Sequence, residues 1–222
     1  MTDKTKRQVA LVAALAVWLA AVWLLWWSPV IYPLKLFVVL LHEASHGAMA
    51  VATGGEVLRI VVTPDQGGVC HCPGGNAFLT LSAGYLGSLG WGALILMLAR
   101  AKRPGPRNVT TFIGAAVLVL TALYVRNGFG ILFGALFGAV LIALRSTGRT
   151  VHVMALTALG LTSCLYALLD IKSDVLDRPY LESDAHMLAD MTGVPTVLWG
   201  ALWIGLGTAV SVWLFRRALA RA

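Results

Sequence analysis

Charge is scarce in this chain of 222 residues: 17 basic and 10 acidic residues make up only 12% of it. A soluble domain carries about a quarter. The shortage excludes an ordinary soluble enzyme and a disordered chain. It also excludes a nucleic-acid partner, despite a formal net charge of +7. Cysteine is equally sparse. Of three, two stand in Cys70-His71-Cys72, which cannot build a disulfide framework and leaves the redox compartment unread. There is no internal repeat and no low-complexity tract. What fills the chain is apolar: 59% of residues are hydrophobic, and the composition predicts a polytopic membrane protein whose surroundings are the lipid bilayer.

A spanning helix needs about 20 apolar residues. Seven stretches approach that length: 9–27, 29–53, 77–99, 109–125, 127–144, 150–169 and 191–215. The first is too long for a signal-peptide core, and no small-residue cleavage site follows it. Two joints exceed the rest. In 54–76, Gly54-Gly55 ends a helix, 56–63 is rich in β-branched residues, and Pro64 to Gly68 reads as a turn before a returning strand. The other, 171–190, holds five of the ten acidic residues. The expected fold is an all-α integral membrane protein. It has about seven hydrophobic helices, six or seven of them spanning, and a small membrane-face β-hairpin at 54–76. The whole forms one polytopic domain, 1–222, crossing a cell membrane several times. Gly84, Gly87, Gly90 and Gly130, Gly134, Gly138 recur at the spacing of close helix–helix seams.

The second segment contains Leu41-His42-Glu43-Ala44-Ser45-His46-Gly47. This is H-E-x-x-H, and on a helix positions i and i+4 share one face. Two imidazoles so placed can reach one zinc ion. Glu43 beside them can take a proton from a metal-acidified water. Ionisable residues inside an apolar helix are costly and mark function by default. His42 and His46 are therefore candidate Zn2+ ligands and Glu43 the candidate general base.

At these residues the chain resembles the intramembrane zinc metallopeptidases of the site-2 protease clan, and within them the M50B-like branch. The resemblance extends through Ser82-Ala83-Gly84-Tyr85-Leu86-Gly87, the stretch from Leu165 to Asp174, Glu182-Ser183-Asp184-Ala185, and Thr192-Gly193-Val194-Pro195 with Trp199 to Trp203. It implies a peptidase-like fold, hydrolysis of a peptide bond in or next to the bilayer, and a membrane-protein substrate. The rival expectation is a non-proteolytic membrane protein, a transporter or scaffold, that binds a metal or partner and has no use for a general base.

The third ligand is less direct. Better-studied clan members supply it from an Asn-Pro…Leu-Asp-Gly element. This chain has Leu169-Asp170 followed by Ile171 and no Asn-Pro. Asp170 is the expected ligand because it closes an uncharged helix, where an unpaired carboxylate is costly. Asp174 lies one turn further on. Asp184 reads first as a helix N-cap and second as a ligand brought in by a re-entrant joint. His186 is expected in a loop, His152 at the interface, and Arg126-Asn127 as an interfacial anchor. Cys70-His71-Cys72 is too tightly spaced for a structural zinc site; a metal or redox role is the alternative.

Counting crossings puts the C-terminal ends of the second, fourth and sixth segments on one side, with both long joints. The opposite side collects Arg100, Lys102, Arg103, Arg107, Arg145, Arg149 and the C-terminal arginines. The positive-inside rule makes it cytoplasmic. The basic start, Lys4, Lys6 and Arg7, conflicts with that side if all seven segments span, and the resemblance favours a site near the cytoplasmic face. Orientation stays open at this point.

Overall fold

The computed structural model describes residues 3–177 and 182–221. In chain order the elements are α1 (Asp3–Leu24), α2 (Tyr32–Ala52), β1 (Arg59–Val62), β2 (Gly68–His71), α3 (Ala77–Leu98), α4 (Pro106–Tyr124), α5 (Gly128–Ala143), α6 (Arg149–Lys172), α7 (Asp184–Thr192) and α8 (Thr196–Arg221). A 3-10 turn, Leu144–Ser146, joins α5 to α6, and a π-helical turn, Ser173–Asp177, extends α6. Six helices, α2 to α6 and α8, are long and apolar enough to cross a membrane.

Glycine seams set the packing, because helices in lipid gain from close backbone approach. Gly92 of α3 meets Ser163 and Cys164 of α6, and Gly160 of α6 meets Leu96 of α3. Gly114 of α4 meets Gly138 and Leu141 of α5. The rising numbers on one helix oppose falling numbers on its neighbour, so each pair is antiparallel. Leu36, Phe37, Leu40, Ile60, Val62, Val125 and Leu156 form the main core between α2, the hairpin, α4 and α6.

The strands pair antiparallel, Arg59 opposite His71 and Val62 opposite Gly68. The hairpin turns back along α2. Val57 and Cys70 lie by Gly47, Gly68 lies by Glu43, and the Tyr32 hydroxyl donates to the Pro64 carbonyl at 2.7 Å. Strand edges inside an apolar bundle need partners. For β1 they come from the α4–α5 junction. Arg126 N–H donates to Ile60 O at 3.1 Å, Val62 N–H donates to Asn127 Oδ1 at 3.2 Å, and Asn127 Nδ2 donates to Val62 O at 2.7 Å. Asn127 is thus not the interfacial anchor expected but the clasp of an inserted hairpin.

Two boundaries differ from expectation. The sixth helix does not end at Leu169. Ile171 and Val175 are 2% exposed and pack with Tyr85 and Trp203, which carries the helix on through Asp177. The residues 191–192, expected to open the last span, instead end α7. Gly193, at φ 73°, breaks that helix, and Thr196 starts α8.

The first helix removes the conflict over orientation. The Gln8 amide donates to the Leu219 carbonyl at 3.2 Å, so α1 begins beside the end of α8. α2 also begins on that side, since α8 ends there after an even number of crossings. α1 therefore adds no net crossing, and the basic N-terminal, 100–107, 145–149 and C-terminal segments gather on one face. The buried Lys35 near this turn is satisfied by the Trp26 carbonyl at 2.9 Å and by the Trp26 and Trp27 rings, 4.8 and 5.4 Å away.

Candidate metal centre

The H-E-x-x-H stretch lies at mid-length in α2, which starts with Pro33 in its first turn, where the missing N–H costs nothing. His42 and His46 face α3. Nδ1 of His46 lies 2.7 Å from the Thr80 carbonyl, an acceptor only, so this nitrogen carries the proton and donates. Nε2 is left to face Asp184, and a backbone carbonyl holding the other ring nitrogen is the arrangement usual for metal-binding imidazoles. The His42 ring stands edge-on to Tyr85, centroids 4.8 Å apart.

Opposite the two histidines stands Asp184, not Asp170. Its Oδ2 is 3.0 Å from His42 Nε2 and 3.1 Å from His46 Nε2. The three ligand atoms lie within 4.8 Å of one another, and among the described residues this is the only such group. Tetrahedral zinc with bonds of about 2.0–2.1 Å separates its ligand atoms by about 3.3 Å. The two His–Asp184 spacings are close to that, and two imidazoles plus one carboxylate is a donor set that fits zinc with one position left open.

The joint delivers Asp184 by local means. Ser183 is the N-cap of α7, its hydroxyl accepting from His186 N–H at 3.3 Å. Asp184 follows as the first helical residue rather than the cap. Ala185 and Leu188, fully buried in the cluster with Tyr85, Ile171, Val175 and Trp203, sink the helix into the bundle. Burial works to raise the Asp184 carboxyl, but the hydrogen bonds and charge of His42 and His46 outweigh it and hold it well below the usual carboxylate range.

The expected ligand Asp170 stands outside this group, although its charge reaches His42 and Tyr85. Because α6 runs past it, Asp170 is not at a helix end facing the histidines; it sits half-buried on the helix side. Asp174, in the π-helical turn, accepts from the Tyr85 hydroxyl at 2.6 Å. His186 lies on α7 rather than in a loop, 3.7 Å from Asp190.

Glu43 is 5% exposed and faces β2. The Cys70 backbone N–H donates to its carboxylate, and Gly68 lies against its side chain so closely that a Cβ would overlap it. In the register of the hairpin, Gly68 and Cys70 point their N–H and C=O groups away from β1, so the outer edge of β2 borders the site. Gly84 closes the other wall. A Cβ there would overlap Nε2 of both His42 and His46. The sequence shows Gly84 as one glycine of a seam, and only the antiparallel register of α2 and α3 reveals what it makes room for. Cys70 and Cys72 are free thiols outside the metal group. The hydrogen bond between them pushes Cys70 up and Cys72 down, the latter to about 7.

Residues 15–214 match the family model described as Peptidase M50B-like. No curated protein and no solved structure matches the chain. With nearly its whole length covered, this multi-pass chain belongs to the Peptidase M50B-like family.

Proposed function

We propose that the chain is a zinc-dependent peptidase that hydrolyses a peptide bond of a membrane protein within or next to the bilayer. The observation that carries this reading is the meeting of His42, His46 and Asp184 at ligand spacing with the buried carboxylate of Glu43 next to them on α2. His42, His46 and Asp184 would hold the metal. Bound zinc would acidify a water and polarise the scissile carbonyl.

The remaining work falls to the chain's own side chains. Glu43 takes the proton of the attacking water and passes it to the leaving amine. The Cys70 N–H holds the Glu43 carboxylate in place, and Gly68 lets it lie flat against β2. The Thr80 carbonyl fixes the His46 tautomer. With the Cys70 N–H on Glu43 and the Cys70 carbonyl accepting from the Cys72 thiol, the outward N–H and C=O of Gly68 remain to meet an extended peptide, which is the conformation a hydrolysable bond must present. A helix in lipid has its backbone groups satisfied internally and must unwind first.

The test compares membrane proteomes from cells carrying the wild type and Glu43→Gln, with zinc measured on both purified proteins. Fragments that depend on Glu43, with equal zinc in the two proteins, support hydrolysis. Identical proteomes with undiminished zinc move the assignment to metal binding without proteolysis.

A further inference from the structure

The basic face carries a second constellation, at the far end of the bundle from the metal centre. α4 and α6 start side by side: Arg107 Nη2 donates to the Thr147 carbonyl at 3.2 Å, one residue before the Gly148 N-cap of α6. Arg145, in the turn between α5 and α6, reaches the Thr111 hydroxyl of α4 at 3.5 Å. Gly105 and Gly148 stand at the two N-cap positions, so neither helix has a side-chain cap; Pro106 has no N–H and the Asn108 and Val151 N–H groups turn back to the Gly105 and Gly148 carbonyls, which leaves Arg107, Arg149 and Thr150 N–H at the two helix starts. Arg107, Arg145 and Arg149 are exposed, and among the described residues none of them pairs with a carboxylate.

Beneath them lies His152. It was expected at the interface but is fully buried; its ring lies by the Leu144 carbonyl, and neither nitrogen reaches a partner in good hydrogen-bond geometry. The nearby Leu144 carbonyl already accepts from the N–H and hydroxyl of Thr147, at 2.8 and 2.6 Å. Helical side chains lean toward the N-terminus, so His152, one turn into α6, leans over the uncapped start. The charges of Arg107 and Arg145 both reach its ring. A buried, unsatisfied polar group is costly and calls for a partner. Here the flanking groups are three guanidiniums and two positive helix ends, so that partner is an anion.

We propose that the junction of α4, the 144–148 turn and α6 binds a phosphate group, carried by an anionic lipid headgroup, with Arg107, Arg145 and Arg149 around it and His152 as its floor. The level of the site selects the lipid. Both helix starts are the ends of spans, Pro106–Tyr124 and Arg149–Val175, where phosphodiesters of the bilayer lie. Arginine matches phosphate oxygens two at a time, which a diffuse basic surface does not.

The full-length protein in nanodiscs, with native mass spectrometry of the lipids it retains, tests this. Retention of phosphatidylglycerol should exceed that of phosphatidylcholine by about tenfold or more. Each arginine near the surface contributes about fivefold, so Arg107→Gln/Arg145→Gln should weaken retention about 25-fold. The same change at Arg216 and Arg217, on the same face but off the site, should have little effect. His152→Leu, which leaves the surface charge intact, should cost several-fold. Displacement of the lipid by millimolar inorganic phosphate would assign the site to the free anion; failure of phosphate to compete assigns it to the lipid. Equal retention of both lipids, equal losses from the Arg216/Arg217 pair, or no effect of His152→Leu overturns the proposal.

Discussion

Replacing Asp184 by Asn changes one ligand oxygen to an amide and leaves the side-chain shape, Ser183 and the buried Ala185 and Leu188 as they are. α7 should stay docked, because its apolar contacts hold it. Zinc affinity should not survive. Apparent zinc-binding energies for four-ligand sites run to about 10–16 kcal/mol, so one ligand is worth about 3–4 kcal/mol. That is a factor of about 10²–10³ in affinity. Asp170→Asn removes a charge outside the ligand group and should shift affinity by only a few-fold, the size of a screened interaction. The assay is zinc content of the purified full-length protein against a chelator series that buffers free zinc. If Asp170→Asn empties the site while Asp184→Asn keeps it, the placement of the joint is wrong and the ligand set must be redrawn. If both retain zinc, the metal lies elsewhere.

Glu43→Gln should retain about one zinc per chain and lose turnover about 10²–10⁴-fold, read on a substrate found by proteomics. Gly84→Ala should lower zinc occupancy sharply because its methyl overlaps both histidines, while Gly90→Ala, with open space around it, should be neutral; metal analysis of both separates crowding at the site from the mere addition of a methyl to α3. Asn127→Ala removes both side-chain bonds to the outer edge of β1 and should cost about 1–3 kcal/mol, seen as faster amide exchange at Val62 and a lower thermal midpoint in detergent. Single cysteines placed at Thr5 and Gly105, in a background free of Cys70, Cys72 and Cys164, should label from the same side, the cytoplasmic one. Labelling from opposite sides would show that α1 makes a full crossing.

Much of this architecture follows from one-dimensional signals. Apolar run length finds the six spans, β-branched residues between glycine turns find the hairpin, and H-E-x-x-H finds His42, Glu43 and His46. Parity puts the 54–76 joint on the side where α4 ends, and the contacts of Ile60 with Val125 and Arg126 join the two. The third carboxylate escapes this logic. Asp170 is selected by assuming that a helix stops where charge begins, but Ile171 and Val175 have enough buried surface to carry it further. α7 has nine residues, too few for a period to stand out, and its inward face rests on just Ala185 and Leu188. Asn127 is hidden for a related reason. A polar pair between two spans looks interfacial until an inserted strand supplies the N–H and C=O it satisfies.

The separation of the ligands along the chain has a bearing on synthesis. His42 and Asp184 are 142 residues apart. At about 5–20 residues per second, roughly 7–28 s pass between the making of the first ligand and the last. A ribosome-bound chain that has already inserted α2 through α6 thus presents both histidines and Glu43 without the carboxylate that completes the proposed site. Because Asp184 follows α2 through α6 in the chain, the proposed metal site is completed only after those five helices are made.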